Sequence, residues 1–368
     1  MAYIEGADAQ LVIDKYMAKK EVSTDFYFAH DVDELDQLCR IFWADPQARH
    51  NFKLFGDVLS FDATYSTNRY KLVFVPFTGM DHHKKSVTFA VRLIAKEDLD
   101  SYTWLLEHFK TAMGRVPTCT VTDQDPAMRV AISRVFDTTR HRYCMWHIMT
   151  KVGIGEQRLQ QLHFPTSSLT DFFIKFEKAI NKQRHTQTRL NADCEDKFPE
   201  LKTTLLLERQ AATTYTIAMF YDVQKEILEA CFSSQIINKT VEGNTVRLEI
   251  EDTNKMMHSV EYNSSTRATH CTCNMFNRIG LQCRHLLLAF KDARLERIPG
   301  QYITPRWTRT TCWPYAQLYA NPEQGGPTEV LSGGTRMGTV FDEFFKCVGN
   351  AYGNTDRRKW KLEQRKLV

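Results

Sequence analysis

Apolar positions change period several times along the chain. Residues 1 to about 50 read as helical: Ala9, Leu11, Val12, Ile13, Tyr16 and Met17 form one apolar face, and the stretch from Asp31 to Leu38 supplies another. The next hundred residues shift to short β-branched and aromatic runs at 57–62, 71–77 and 87–94, separated by Ser66-Thr67-Asn68 and by Asp81-His82-His83-Lys84-Lys85. This predicts a three-strand meander with a solvated turn at the two histidines. A helix capped by Ser101 follows, with Trp104, Leu105, His108, Phe109 and Met113 turned inward. A strand over 118–122 ends at Asp123, and Asp125-Pro126 opens a helix through Phe136. A strand at 141–144 then leads into a helix at Met145. The order β-β-β-α-β-α-β predicts an α/β fold with a mixed sheet of ribonuclease-H-like type.

Beyond residue 153 the period returns to helical up to about 232, with stripes at Leu169, Phe172, Phe173, Phe176 and Ile180 and at Tyr215, Met219, Phe220, Val223 and Ile227. Residues 236–270 alternate as strands, most clearly Val246 to Ile250. From Pro299 onward the pattern weakens into a loop-rich tail with a basic end, Arg357, Arg358, Lys359, Lys361, Arg365 and Lys366. The expected organisation is therefore a helical segment (1–50), a ribonuclease-H-like core (51–152), a helical region (153–235), a small ββα unit (236–298) and the tail (299–368).

Composition narrows the function classes. The chain has 368 residues, is 43% hydrophobic, and carries a net charge of +4, which permits nucleic acid as a partner without demanding it. The apolar runs, such as Leu286 to Phe290, fall far short of the roughly 20 residues of a spanning helix. The first twenty residues lack the basic and apolar regions of a secretory signal, so the ten cysteines are expected in a reducing compartment, where clustered Cys points to metal ligation.

One such cluster exists. Cys271-Thr272-Cys273 and Cys283-Arg284-His285 offer three thiolates and an imidazole, the donor set of a closed structural zinc site; Cys312 is a more distant substitute. Residues i and i+2 of a strand share a face, so Cys271 and Cys273 are expected to reach one ion. Asp62 and Asp123 end strands expected to be neighbours, and could hold divalent ions for phosphoryl transfer or simply cap turns. Asp125 reads as a helix cap. Cys144 and His147 form a C-x-x-H pair that is either a buried structural pair or a functional one.

Taken together, Ser60 to Tyr65, Asn68 to Tyr70, Pro76 to His83, Thr122 to Met128 and His141 to His147 resemble the blocks of Mutator-like (MULE) transposase domains, and the C-x-C…C-x-H arrangement resembles a SWIM zinc finger. That order resembles the plant far-red-impaired-response family, domesticated transposases that act as nuclear transcription regulators in light signalling. The resemblance covers roughly residues 5–310. It implies that Asp62 and Asp123 are the first two acids of a DDE triad, accompanied by Cys144 and His147. It places the third acid in a helical insertion that is mostly missing here, Glu156 being the nearest acid, and it expects an amino-terminal DNA-reading module that has no counterpart in this sequence. The resulting expectation is a zinc-binding nuclear regulator without transposase activity, with DNA and related regulators as partners and no membrane. The alternatives are an active DDE-type transposase or nuclease using Mg²⁺ or Mn²⁺, and a dimerisation module pairing with longer relatives.

Overall fold

The computed structural model describes residues 2–35, 37–61, 72–144 and 168–312, with side chains from Asp8 onward. Helix α1 (Ala2–Val22) leads into strands β1 (Tyr27–Val32) and β2 (Leu38–Ala44) and helix α2 (Pro46–Phe55). Then come β3 (Val58–Phe61), β4 (Val73–Met80), β5 (Ser86–Ile94), α3 (Leu99–Met113), β6 (Cys119–Thr122), α4 (Pro126–Val135) and β7 (Arg140–Tyr143). These strands make one mixed sheet in the order β1-β2-β5-β4-β3-β6-β7. Its pairs are antiparallel from β1 through β3, whereas β6 and β7 run parallel to β3.

The hairpin β1–β2 corrects the helical expectation for residues 27–44, whereas α2 is helical as expected from Pro46. The hairpin's residues alternate across the sheet: Phe42 joins the core beneath α2, α3 and α4, while Ile41 and Trp43 join the core beneath α1. An aromatic-rich run such as Tyr27-Phe28 paired with Ile41-Phe42-Trp43 fills both faces of a pleat, and that outweighs the short helical spacing at 31–38. The cap of α3 also moves back by one turn, because Asp98 rather than Ser101 accepts the Ser101 N–H at 2.8 Å. Asp125 caps α4 as expected, accepting the Met128 N–H at 2.7 Å, with Pro126 in the first turn.

Helices α2, α3 and α4 cover one face of the sheet. The other face is covered in two halves. Over the β1–β2–β5 half lie α1 and the long α5 (Leu169–Asp196), whose Leu169, Phe172 and Phe173 are buried and whose first N–H groups bond to Asp8 of α1. Over the β3–β6 half, Val58, Met80, Cys119 and Val121 pack with α6 (Leu206–Thr214), α7 (Ile217–Phe232) and a second, four-stranded unit. That unit comprises β8 (Gln235–Glu242), β9 (Thr245–Glu251), β10 (Met257–Asn263), β11 (Thr269–Cys271), the single turn α8 (Met275–Ile279) and α9 (Arg284–Asp292), with antiparallel strand order β11-β10-β9-β8.

Residues 300–312, which read as a loop-rich tail, fold as three 3₁₀ turns threaded between these layers. Trp307 is 1% exposed and donates its indole N–H to Ile279 O at 3.0 Å. Arg306 reaches to the sheet side, where it pairs with Asp57 and bonds to the Phe55 and Met80 carbonyls. Arg309 donates to Tyr215 O at 2.9 Å and to the carbonyls of Cys194 and Lys197 at the end of α5. Sequence patterning misses this strap because buried arginines and prolines look polar and irregular, although every polar contact just named is made to the chain.

The histidine turn also differs from expectation. Asp81, His82 and His83 are 1%, 1% and 2% exposed. Asp81 accepts the backbone N–H groups of His83 and Lys85 at 2.8 and 2.9 Å, which tightens the β4–β5 turn. Both imidazole Nε2 atoms lie against the Asn191 carboxamide, at 2.9 and 2.7 Å, and His82 Nδ1 is 3.2 Å from the Thr308 carbonyl. Burial, helped by the neighbouring His83, pushes the His82 pKa down to about 3, so its ring is neutral.

Removing one partner of the Arg306–Asp57 pair strands a buried charge. Arg306→Ala is expected to lower unfolding stability by about 3–5 kcal/mol in urea titrations. The double variant Asp57→Asn/Arg306→Met is expected to recover part of that loss; a single-variant loss below about 1 kcal/mol, the scale of an exposed pair, would contradict the assignment.

Candidate metal centre

The Cys and His residues singled out from spacing converge. Strand β11 ends at Cys271, paired to Val260 of β10, and the chain turns immediately. Cys273 lies in that turn rather than on the strand, so it is the turn, not strand alternation, that sets its sulfur 3.4 Å from Cys271 Sγ. Asn274 takes a left-handed conformation at φ 54° and starts α8, which Gly280 ends at φ +74°. A side chain at Gly280 would be strained in φ and would meet Thr304 Oγ1 at 2.8 Å. This reversal delivers Cys283 as the N-cap of α9 and His285 into its first turn.

His285 is 3% exposed and presents Nδ1 to Cys271 Sγ at 3.5 Å. The ligand atoms of Cys271, Cys273, Cys283 and His285 all lie within 4.8 Å of one another. Metal–sulfur and metal–nitrogen bonds of about 2.3 and 2.0 Å give tetrahedral edges of about 3.8 Å between sulfurs and about 3.5 Å between sulfur and nitrogen. The spacing therefore fits a four-coordinate ion. Without a cation the three thiols must share protons: hydrogen bonds from Cys271 and Cys283 push the Cys273 thiol far down, while burial pushes Cys283 well up. A bound dication removes that conflict by stabilising all three thiolates. Cys312 closes the last 3₁₀ turn and is not in the group.

Sequence reasoning missed the other side of His285. Its buried Nε2 has no hydrogen-bond partner and lies 4.0 Å from Asp252 Oδ2 in the β9–β10 turn. Asp252 also faces His258 Nε2 at 3.9 Å, and the His258 and His285 rings lie with centroids 4.2 Å apart, tilted by 38°. Burial works against the Asp252 charge, but N–H groups of Met256 and Asn254 hold its carboxyl below the usual range. A carboxylate behind a ligating imidazole orients the ring and favours the tautomer with Nδ1 free for a metal. The Asp-Thr-Asn-Lys turn was visible in the sequence; its proximity to His285 was not, since it depends on β9–β10 pairing.

The paired-carboxylate expectation is described only in part. Asp62, Glu156 and His147 lie outside the described residues. Strands β3 and β6 are parallel neighbours, with Val58 opposite Cys119 and Ser60 opposite Val121. Asp123 follows β6, half-buried, and its Oδ1 accepts the Asp125 N–H at 3.1 Å. Cys144 is half-buried beside β7, packs against the core shared with α7, and donates its backbone N–H to Thr122 O at 2.6 Å. The described residues thus show Asp123 in a turn-shaping role.

Residues 58–151 match the MULE transposase domain. The Arabidopsis thaliana protein FAR1-RELATED SEQUENCE 5 is 27% identical over 388 residues, covering 83% of this chain and 49% of that protein. FAR-RED IMPAIRED RESPONSE 1 of the same plant is 26% identical over 389 residues (83% and 47%), and FAR1-RELATED SEQUENCE 9 is 27% identical over 357 residues (74% and 65%). The chain spans about half the length of most of these curated relatives. It carries a MULE transposase domain and is homologous over most of its length to the FAR1-related and FAR-RED IMPAIRED RESPONSE 1 proteins of Arabidopsis.

Proposed function

We propose that this chain is a transposase-derived nuclear regulator that works by binding, to DNA and to related proteins, and not by strand transfer. The large sheet supports a ribonuclease-H-like reading: from β5 to β7 it runs through three antiparallel strands followed by two parallel to β3. The Cys271, Cys273, Cys283 and His285 group is then a SWIM-type finger holding structural zinc, with Asp252 behind His285. Zinc there would neutralise the thiolates and close the loop; it offers no open position for substrate.

The observation that carries binding over catalysis is the length of the alignments. The match of 388 residues to FAR1-RELATED SEQUENCE 5 covers 83% of 368 residues, about 305, so that relative has roughly 80 residues inside the match that this chain lacks. A shortened insertion at the place expected for the third acid would account for these residues. Two carboxylates alone hold a pair of catalytic metal ions poorly. Strand β7, the last of the sheet among the described residues, instead offers Arg140 and Arg142, both exposed among those residues, with Arg129 of α4 near enough to act on the same His141. Cations along a strand suit duplex phosphates, which are read by charge and not by sequence.

Two outcomes follow. Purified chain is expected to hold one zinc ion, measured by elemental analysis, and Cys283→Ser to lose it; a zinc-free wild type that melts identically with and without chelator would contradict the finger. DNA affinity is expected to fall steeply with salt, and Arg140→Ala/Arg142→Ala to flatten the log–log slope by about 2, at about 0.9 per phosphate contact. Salt-independent binding, or Mg²⁺-dependent strand cleavage, would overturn the reading.

A further inference from the structure

The metal-binding arm Cys283-Arg284-His285 is held from outside the finger. Glu226 lies on α7, 58 residues earlier, and is 7% exposed. Its Oε2 accepts the backbone N–H of Arg284 at 2.8 Å and the Arg284 Nε–H at 3.0 Å; its Oε1 accepts Nη2 at 2.9 Å. The remaining fork arm, Nη1, faces Glu229 Oε2 and Thr253 Oγ1, each at 3.3 Å. Thr253 belongs to the same β9–β10 turn as Asp252.

We propose that Glu226 is a positioning residue for the metal centre, setting the arm through Arg284 so that Cys283 and His285 face the same ion. The first N–H groups of a helix need acceptors. In α9 one is met by Cys283 Sγ, at 3.4 Å from Leu286 N, and another by the Glu226 carboxylate. The carboxylate therefore fixes the residue between two ligands by both its backbone and its side chain. A bidentate pair gives direction as well as energy, which a lysine at 284 would not supply. Sulfur and imidazole must meet the ion within a few tenths of an ångström, so freedom in this arm appears as faster metal loss. The arm is consequently tuned by α7, whose Met219, Phe220 and Val223 belong to the same buried core as Val58, Met80 and Val121 of the large sheet.

This inference rests on the zinc reading, and the test separates the two. Full-length chain is loaded with Zn²⁺, and release to a chromogenic chelator is timed; Co²⁺-loaded samples report sulfur–metal charge-transfer bands. Glu226→Gln is expected to release zinc about 10–100-fold faster, with altered Co²⁺ bands. Glu208→Gln serves as the structural control. Glu208 is 0% exposed and accepts from Lys202 N, Thr203 N and Gln224, so its loss destabilises the same helical region without touching the arm. It is expected to release zinc at the wild-type rate. Should Glu226→Gln not fold, Arg284→Lys, which keeps the backbone bond but loses the fork, is expected to show a smaller acceleration. A wild-type release rate in the folded Glu226 variant (or in Arg284→Lys where that is the variant read), or equal acceleration in Glu208→Gln, would overturn the proposal. Absence of zinc from the wild type would instead overturn the finger itself.

Discussion

Val58 and Met80, with Cys119 and Val121 of β6, form an apolar surface on the large sheet that α2, α3 and α4 cannot reach, because those helices occupy the opposite face. Each such buried side chain is worth about 1.5–3 kcal/mol relative to exposure. The chain covers the surface with α6, α7 and α9, so that sheet, helices and candidate metal centre share one core. The strap at 300–312 follows from the same constraint: it seals the seam with Trp307 and satisfies the carbonyls left at the ends of β4 and α5 through Arg306 and Arg309. The candidate metal centre is tied to this packing, since Gln282, one residue before Cys283, bonds to Tyr215 at the junction of α6 and α7.

How much of this was legible depends on where the information lies. The Cys/His group could be read because four chemically rare residues sit within fifteen positions, and Asp125-Pro126 could be read because a cap acts over three residues. The central strands and the stripes on α5 and α7 were legible from period alone. The β1–β2 hairpin was not, because the buried half of β2, Ile41 to Ala44, faces a core on each side and loses its alternation, while β1 buries Phe28 alone. His82 and His83 looked solvated, yet Asn191 and Thr308 meet them from 109 and 226 residues away. The same holds for Arg306: Asp57 is 249 residues distant, and no local pattern announces a partner at that range. Polar residues misled wherever their partners were non-local.

The MULE match covers the central strands of the large sheet, and the Cys271, Cys273, Cys283 and His285 cluster, which could hold a metal ion, belongs to a core that this sheet shares. Glu226, through Arg284, and Asp252, behind His285, reach the Cys/His cluster from two different elements, which makes its geometry a property of the surrounding fold.

The central claim is that the metal group and the large sheet are one cooperative unit. Hydrogen–deuterium exchange read by mass spectrometry, on zinc-loaded chain and on chain stripped by chelator, tests it most directly. The account predicts that stripping removes protection well beyond 271–285, through α7 (217–232) and the strap at 300–312 to β3 and β6. Loss confined to residues 271–285, with α7 and the strap fully protected, would contradict it.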